Sequence, residues 1–378
     1  SDTKQANKTF YRTERLEAQT GNDSMKFNYN GISQFSSIRN TASSSTLDRL
    51  GFKSEGTNLN LRYQNNTIIA DSLFGIKYNL SNFDLNKYGF NHVTSEKTIG
   101  LYQNNNASQL AILTDGIYKN IDFAVNTLDN QTSLLNALSG LNLTYFKRAP
   151  SQLFDQDAKS LNQRVAKNVS NSNIDFVTIT YRVIAPPHSQ LYVSIPNISW
   201  SDDNNHSLSI TVNGVTRNQV TDNTFDFFDL GYFETESMVT IKLSFPGNKA
   251  ISFDNPSFYA LDTQNYQIAM DTINERDSKV TTSNNKVFVD YSSKTNASLF
   301  FTIPYDKGWT ATINHKKVKI QRAQKGFMKV DVPSGKGEVV LTFIPYGLKT
   351  GLLISLLASI IFCCYAYFIR KITVIQNC

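Results

Sequence analysis

Residues 351–369 read GLLISLLASIIFCCYAYFI, nineteen positions with neither a charge nor a proline. At 1.5 Å of rise per residue the run makes about 28 Å of helix, close to the hydrocarbon thickness of a bilayer. A globular helix of this length carries a charged or strongly polar face, and this run has none. It therefore predicts a membrane span, against the competing reading of a buried core helix. Tyr346, Tyr365 and Tyr367 suit the two interfaces, and Arg370-Lys371 closes the run with positive charge.

Positive charge favours the cytoplasmic side. Arg370 and Lys371 follow the span, and only Lys349 immediately precedes it. That margin predicts a cytoplasmic tail and an extracytoplasmic body. The three cysteines are Cys363, Cys364 and Cys378, so the polar body uses no disulfide. A polar body on the outer face needs something to carry it across. Either a signal has been removed ahead of Ser1, or the chain is the C-terminal part of a longer membrane protein.

The first 150 residues mix helix and strand signals. Phe10 to Leu16 begins a strand, 28–37 is extended, and Thr46 to Gly51 reads as a capped helical turn. The most apolar part, 68–78, reads as a buried helix-to-strand unit. Residues 99–102 and 110–113 read as further strands. An amphipathic helix is predicted over 132–141, with Thr132 as N-cap and Gly140 as its stop. Residues 149–171 are polar and weakly periodic, as a linker would be.

From Ile174 the texture becomes β, with strict alternation through 176–183. Asn213-Gly214 is a hairpin turn, since both residues tolerate positive φ. Five features then recur in the same order, after a further matching pair of strands. The pair 179/181 matches 287/289, and LYVSIP at 191–196 matches LFFTIP at 299–304. Trp200 matches Trp309. ITVNG at 210–214 matches ATINH at 311–315, FFDL at 227–230 matches FMKV at 327–330, and 239–245 matches 339–343. Two tandem β-sandwich modules follow from this duplication, with chance likeness between β-rich segments as the alternative. Between them 262–273 reads as a helix capped by Asp262 or Thr263.

The fold class expected is α+β, mainly β. A mixed α/β domain covers 1–150, a linker 151–173, and a first β-sandwich 174–261. A helix and a second, basic β-sandwich cover 262–348, a transmembrane helix with its flanks 349–371, and a cytoplasmic tail 372–378.

The formal net charge is +6, from 37 basic and 31 acidic residues. Nine of the basic residues lie between Asp306 and Lys349, against Asp306, Asp331 and Glu338. The second sandwich is thus a basic surface beside the membrane. It suits anionic lipid, a phosphate-rich wall polymer or a phosphorylated lipid carrier; a solvated face without a ligand is the other reading. The candidate binding residues are Tyr305, Asp306, Lys307, Lys316, Lys317 and Lys319. Tyr305, Asp306 and Lys307 form an exposed turn before Trp309, and Trp309 is expected to be a core tryptophan between the sheets, as is Trp200.

No catalytic constellation emerges. His92, His188, His206 and His315 are isolated, and no phosphate-cradling loop or nucleophile elbow occurs. Asp155-Gln156-Asp157 has the Asp-x-Asp form that can hold a divalent cation, but the spacing is common and the segment reads as linker. No metal, cofactor or nucleic-acid partner is expected for this chain.

Four blocks carry a family resemblance: Phe10-Tyr11-Arg12-x-Glu14; YNGISQFSS at 29–37; DSLFGIKY at 71–78; and IPYDKGW at 303–309, with Phe327-Met328 and Pro333-Ser334-Gly335 downstream. With the terminal span, they make the chain resemble the YfhO family of bacterial membrane proteins over nearly its whole length. Two places depart from the family pattern: Asn314-His315 stands where Asp-Gly is common, and LTDGI at 113–117 replaces a Leu-Pro-x-Gly-Phe type of segment. The resemblance implies many helices ahead of Ser1 and a C-type glycosyltransferase. Such an enzyme takes a sugar from a polyprenyl-phosphate carrier and attaches it, outside the cell, to an acceptor such as lipoteichoic acid. Its catalytic carboxylate would lie in an outer loop between early helices, so no residue here is assigned that role. The other class is a non-catalytic, membrane-anchored module that binds or assembles wall polymer.

Overall fold

Two strands, Ser189–Ser194 and Ala297–Pro304, are buried on both faces in the computed structural model. Half of each strand's side chains enter a sandwich core. The other half enter a third core that belongs to the N-terminal region. The structure describes residues 9–38, 40–52, 60–64, 66–124, 126–156, 161–162, 165–166, 176–200, 206–221, 227–246 and 251–376.

The N-terminal region contains β1 (Arg12–Arg15), α1 (Asp23–Lys26), α2 (Thr41–Asp48), α3 (Ile68–Leu73), β2 (Ile76–Ser81), β3 (Phe90–Glu96) and β4 (Ile99–Asn104). Its sheet has the order β1-β2-β4-β3, with β1 parallel to β2 and the rest antiparallel. The predicted helix-to-strand unit is present. Thr67 caps α3 through its side chain, and Gly75, at φ 63°, reverses the chain into β2. A Cβ there would lie 2.7 Å from the Ser108 carbonyl oxygen, so only glycine fits.

Next come β5 (Ala111–Leu113), α4 (Thr127–Ser139), β6 (Phe146–Arg148) and β7 (Ser151–Gln156). Helix α4 stops where predicted, with Gly140 left-handed at φ 79°, but starts five residues before Thr132, on Asn126 as N-cap. Its first turn is hard to read because its buried face includes Asn130 and Gln131. They hydrogen-bond to the carbonyls of Arg49, Ala124 and Leu50, and apolar periodicity does not register them.

The first sandwich adds β8 (Phe176–Ala185), β9 (Ser189–Ser194), β10 (His206–Val212), β11 (Val215–Thr221), β12 (Phe227–Phe233), β13 (Ser237–Pro246) and β14 (Ser257–Asp262). Helix α5 (Thr263–Asn274) follows, capped as expected by Asp262, which accepts from the Gln264 and Asn265 N–H groups. The second sandwich adds β15 (Ser278–Ser283), β16 (Lys286–Ser293), β17 (Ala297–Pro304), β18 (Trp309–Ile313), β19 (Lys316–Val318), β20 (Gln321–Ala323), β21 (Phe327–Val332) and β22 (Gly335–Phe343).

The order of the five-stranded sheets repeats, and each facing sheet pairs the equivalent strands, β9 with β12 and β17 with β21. The five-stranded sheets run β11-β10-β13-β8-β7 and β19-β18-β22-β16-β15; the facing sheets run β12-β9-β14-β6 and β20-β21-β17-β5. Every segment pair of the sequence repeat falls on equivalent strands except the tryptophans: Trp309 opens β18, whereas Trp200 belongs to a separate short ribbon with Ile251. Both hairpin turns are alike as well: Asn213-Gly214 at φ 47° and 88°, and Asn314-His315 at φ 46° and 68°. Both residues are left-handed in each, as a type I′ turn demands, so His315 keeps the geometry that glycine adopts more easily.

Composition does not divide this chain where the sheets do. Residues 151–156, expected to open a linker, form edge strand β7 of the first sandwich. Strand β6 completes its other sheet, and β5 pairs with β17 in the second sandwich. Edge strands are short and half-exposed, so their composition resembles that of a loop. Between the sheets β12-β9-β14-β6 and β20-β21-β17-β5 lies the N-terminal core of α2, α3, α4 and α5. It receives Tyr192 and Phe227 from the first sandwich and Phe300 and Phe327 from the second. In β9, Leu191 and Val193 face the sandwich core while Tyr192 faces this one. Two-sided burial explains the unbroken apolar runs.

Trp309 corrects the expectation of a core tryptophan. It is half-buried at the open end of the second core, its ring 4.9 Å from that of Phe343, and Ala311 fills the central position of β18. The side chain of Trp200 lies outside the described residues. Helix α6 (Leu348–Gln376) contains one stretch, Leu348–Arg370, with a mean hydropathy of 2.4 and none of it buried. A core helix would be covered by protein, so the membrane reading of this span gains.

Candidate functional site

The end of the second sandwich that carries α6 is tightly knit. The Ile344 N–H donates to the Gly308 carbonyl (3.0 Å), and a Cβ on Gly308 would stand 2.4 Å from the Ile344 carbonyl oxygen. Asp306 Oδ1 accepts from the Gly308 N–H at 2.7 Å and shapes the turn. Lys307 Nζ lies 5.6 Å from the centre of the Tyr346 ring. Tyr305, expected to be exposed, is half-buried against the second core under Arg322, whose guanidinium is 4.4 Å from the ring centre. Its N–H donates to the Gly326 carbonyl (2.9 Å), and its carbonyl accepts from Asn40 Nδ2 (2.7 Å).

The six candidate residues do not form one site. Residues 305–307 adjoin the root of α6. Lys316 and Lys317 flank the Asn314-His315 turn at the far end of β18, about 14 Å of strand away at 3.4 Å per residue. Lys319 follows Val318, the partner of Ala311, and so lies toward the near end. Sequence proximity merged what a hairpin separates.

Two grooves accompany these ends. One, of about 470 Å³, lies at the far end between the C-termini of α4 and α5 and the β16–β17 turn, lined by Asp115, Gly140, Glu275, Arg276, Asp277 and Lys294 among others. Arg276 forms part of its wall. It donates to the carbonyl of Leu113 (2.7 Å) at the end of β5 and to those of Leu138 (2.6 Å) and Ser139, which the end of α4 leaves open. The other, of about 390 Å³, lies at the near end between α2, residues 120–123 and the β20–β21 turn, with Arg49, Asp122 and Lys325 on its rim. Gln324 and Lys325 are both left-handed there, at φ 47° and 60°. Buried Gln324 holds that turn, exchanging hydrogen bonds with Tyr118 Oη, the Ile121 backbone and Asn120 Oδ1.

The resemblance-bearing blocks meet inside the N-terminal core. Buried Arg12 donates to the Phe74 carbonyl (2.6 Å), to Thr302 Oγ1 (3.1 Å) and to the Thr302 carbonyl (2.8 Å). Glu14 accepts from the Ile32 N–H, the Ser33 N–H (3.0 Å) and Ser33 Oγ (2.8 Å). The Arg12-x-Glu14 motif thus joins the YNGISQFSS and DSLFGIKY blocks to the strand that leads into IPYDKGW. Burial raises the Glu14 carboxyl to about 7, against the opposing pull of those hydrogen bonds. Beside it Asp71 pairs with Lys87, both fully buried, and Tyr63 Oη donates to Asp71 at 3.1 Å. Burial likewise pushes Asp71 upward and Asp229 to about 6, with Lys87 pulling each back. These acids lie inside the protein and bind no exposed substrate.

Among the described residues no group of three His, Cys, Asp or Glu side chains converges on a metal-sized space. Asp155 is exposed on β7, and its Asp-x-Asp partner Asp157 lies outside the described residues. Sequence reading missed Lys294 and Lys336, which join Lys316 and Lys317 at the far end. Lys294 stands in a Ser-containing turn and Lys336 just after one, a signal of exposure but not of neighbourhood.

A β-rich body standing on an apolar, uncovered helix defines a membrane protein with a large extramembrane part. Residues 1–355 match the family described as bacterial membrane protein YfhO, and the chain belongs to that family. A relative from Bacillus subtilis (strain 168), an uncharacterised protein YfhO, is 25% identical over 141 residues. That match covers 35% of this chain and 16% of the relative, so the chain spans a minor part of its length. Among solved structures, a cycloisomaltooligosaccharide glucanotransferase of Paenibacillus sp. is similar at 8% identity, over 56% of this chain and 50% of that one, with a TM-score of 0.22. A GH2 β-galacturonidase of Eisenbergiella tayi is similar at 6% identity over 54% and 38%, with a TM-score of 0.23. A family two carbohydrate esterase of Cellvibrio japonicus is similar at 11% identity over 30% and 33%, with a TM-score of 0.18. Likenesses this slight carry no functional argument.

Proposed function

We propose that this chain is the extracytoplasmic C-terminal region of a membrane glycosyltransferase that moves a sugar from a polyprenyl-phosphate carrier to a wall polymer such as lipoteichoic acid. Membership of the YfhO family supports the reading. The catalytic carboxylate belongs, on this reading, to membrane segments outside the chain. The body described here holds the acceptor.

The observation that carries the proposal is the far end of the second sandwich. Lys294, Lys316, Lys317 and Lys336 are exposed there on one turn and the ends of two strands, and Lys294 lines the larger groove. Phosphodiesters along a polymer meet such a row of ammonium groups without needing a deep pocket. The test is wall-polymer glycosylation by the full-length protein with these four lysines replaced by alanine. Transfer should fall, with the loss in KM for the acceptor and restored by more acceptor. Unchanged transfer at limiting acceptor would sink the assignment.

A second reading is a non-catalytic binding or assembly module. The observation favouring it is that Glu14, Asp71 and Asp229 are sealed in the interior. Deleting the gene separates the two. Loss of sugar from the polymer supports the enzyme; intact sugar with polymer lost from the envelope supports the module.

A further inference from the structure

Basic residues gather at the near end of the second sandwich as well, and there they surround the root of α6. Residues 283–286, 304–309, 319–326 and 343–349 form four turns and connections at that end. Their register fixes this: Lys286 pairs with Thr342, Trp309 with Phe343, and Pro304 with Phe327. These segments contain Lys286, Lys307, Lys319, Arg322, Lys325 and Lys349, all exposed, against one acid, Asp306. Six cations and one acid leave a net charge of +5.

The geometry holds this collar at a set height. Only Ile344, Pro345, Tyr346 and Gly347 separate β22 from α6. Four residues reach at most about 14 Å, and the bonded pair Ile344–Gly308 shortens that reach. Asn285 adds a further tie, donating from Nδ2 to the Phe343 carbonyl at 2.7 Å while its own carbonyl accepts from the Phe343 N–H at 2.9 Å. The headgroup zone on each face of a bilayer is about 5–7 Å deep. A helix that spans the bilayer therefore brings the collar to the headgroups. Tyr346, 79% exposed and under Lys307, is an aromatic of the kind that settles at this level.

We infer that the near-end collar is a docking surface for anionic lipid headgroups, which fixes the second sandwich on the membrane it stands over. The far-end lysines have no part in this contact. The inference is independent of the glycosyl-transfer reading, because it concerns a different end of the module and a different partner.

The test is lysine labelling on the full chain, reconstituted by α6 into vesicles of phosphatidylcholine alone or of phosphatidylcholine with phosphatidylglycerol. Acylation is read residue by residue by mass spectrometry. Lys286, Lys307, Lys325 and Lys349 should react roughly threefold or more slowly in the anionic vesicles at low salt, and the difference should shrink at about 1 M salt. Lys316 and Lys317 should react equally in both. Equal labelling of the collar in the two vesicles overturns the inference, as does equal protection of Lys316 and Lys317. Soluble poly(glycerol phosphate) added to neutral vesicles is the third arm. If it protects the collar as well as anionic lipid does, the surface takes polymer and the inference fails. A K286E/K307E/K325E chain should lose the lipid difference; a K316E/K317E chain should keep it.

Discussion

Arg12 and Thr302 are bonded twice across 290 residues of sequence, through Oγ1 at 3.1 Å and the carbonyl oxygen at 2.8 Å. The same guanidinium holds the Phe74 carbonyl at 2.6 Å. One side chain therefore ties the first strand of the chain to the turn after α3 and to the end of β17. These contacts fix how the N-terminal core sits on the second sandwich, and through it on the helix root.

Replacing Arg12 by alanine strands these buried acceptors and removes the tie. The expected loss is about 3–5 kcal/mol, as for other broken buried charged networks. Arg12→Lys keeps the charge but not the planar fork, and should lose less, about 1–3 kcal/mol. Denaturant melts of the full chain in detergent measure both. An alanine variant as stable as the wild type would refute the role.

Glu14 makes the protein less stable as pH rises. Its carboxyl titrates at about 7 in the folded chain against an ordinary value of 4.5, because burial outweighs its three hydrogen bonds. Between these values the folded state holds the proton more firmly than the unfolded state does, so its stabilising share is full below about 4.5 and lost as pH climbs through about 7. The whole share is at most about 3 kcal/mol. In Glu14→Gln, Oε1 still accepts from Ile32 and Ser33 and the amide donates to Ser33 Oγ. The variant should match the wild type at about pH 5 and melt higher at about pH 8. Asp229, raised the same way to about 6, keeps part of the slope in either chain.

Lys87 is the counter-charge for two buried acids. Lys87→Met leaves Asp71 without its ion pair and removes the cation that offsets Asp229. A cost of about 3–5 kcal/mol is expected. Adding Asp71→Asn should recover part of it, since one uncompensated carboxylate is gone. A double-mutant cycle with no coupling between the two sites would contradict this account.

His315 occupies a left-handed turn position, at φ 68°, where glycine is at ease. It is exposed and outside the core, so His315→Gly removes backbone strain without opening a cavity. A gain of about 0.5–1 kcal/mol is expected, strain relief exceeding the entropy glycine adds to the unfolded chain. A lower melting temperature for the variant would show that the imidazole does something the turn needs.

Much of the fold was legible where local rules act alone. The span declares itself by length and lack of charge. Gly140 and Asp262 mark helix ends because caps are local hydrogen bonds, and Asn213-Gly214 marks a hairpin because φ is a property of single residues. The duplication is legible because equivalent strands need equivalent alternation. Helix α4 began earlier than predicted because amides bonded to distant carbonyls line its first turn. Strand β7 read as linker because an edge strand needs little apolar surface.

Local pattern along the chain is enough to specify a mainly β protein of two related sandwiches on a membrane helix, with a basic second half. Periodicity, turn chemistry and hydropathy are read within a few residues, and they carry that much. Which lysines are neighbours depends on the packed fold. The hairpin of β18 and β19 sends Lys316 and Lys317 to one end while Lys307 and Lys325 stay at the other, about 14 Å of strand apart. Only the tertiary structure brought Arg12 to Thr302, because a bond across 290 residues depends on how three cores pack, and no local pattern encodes that.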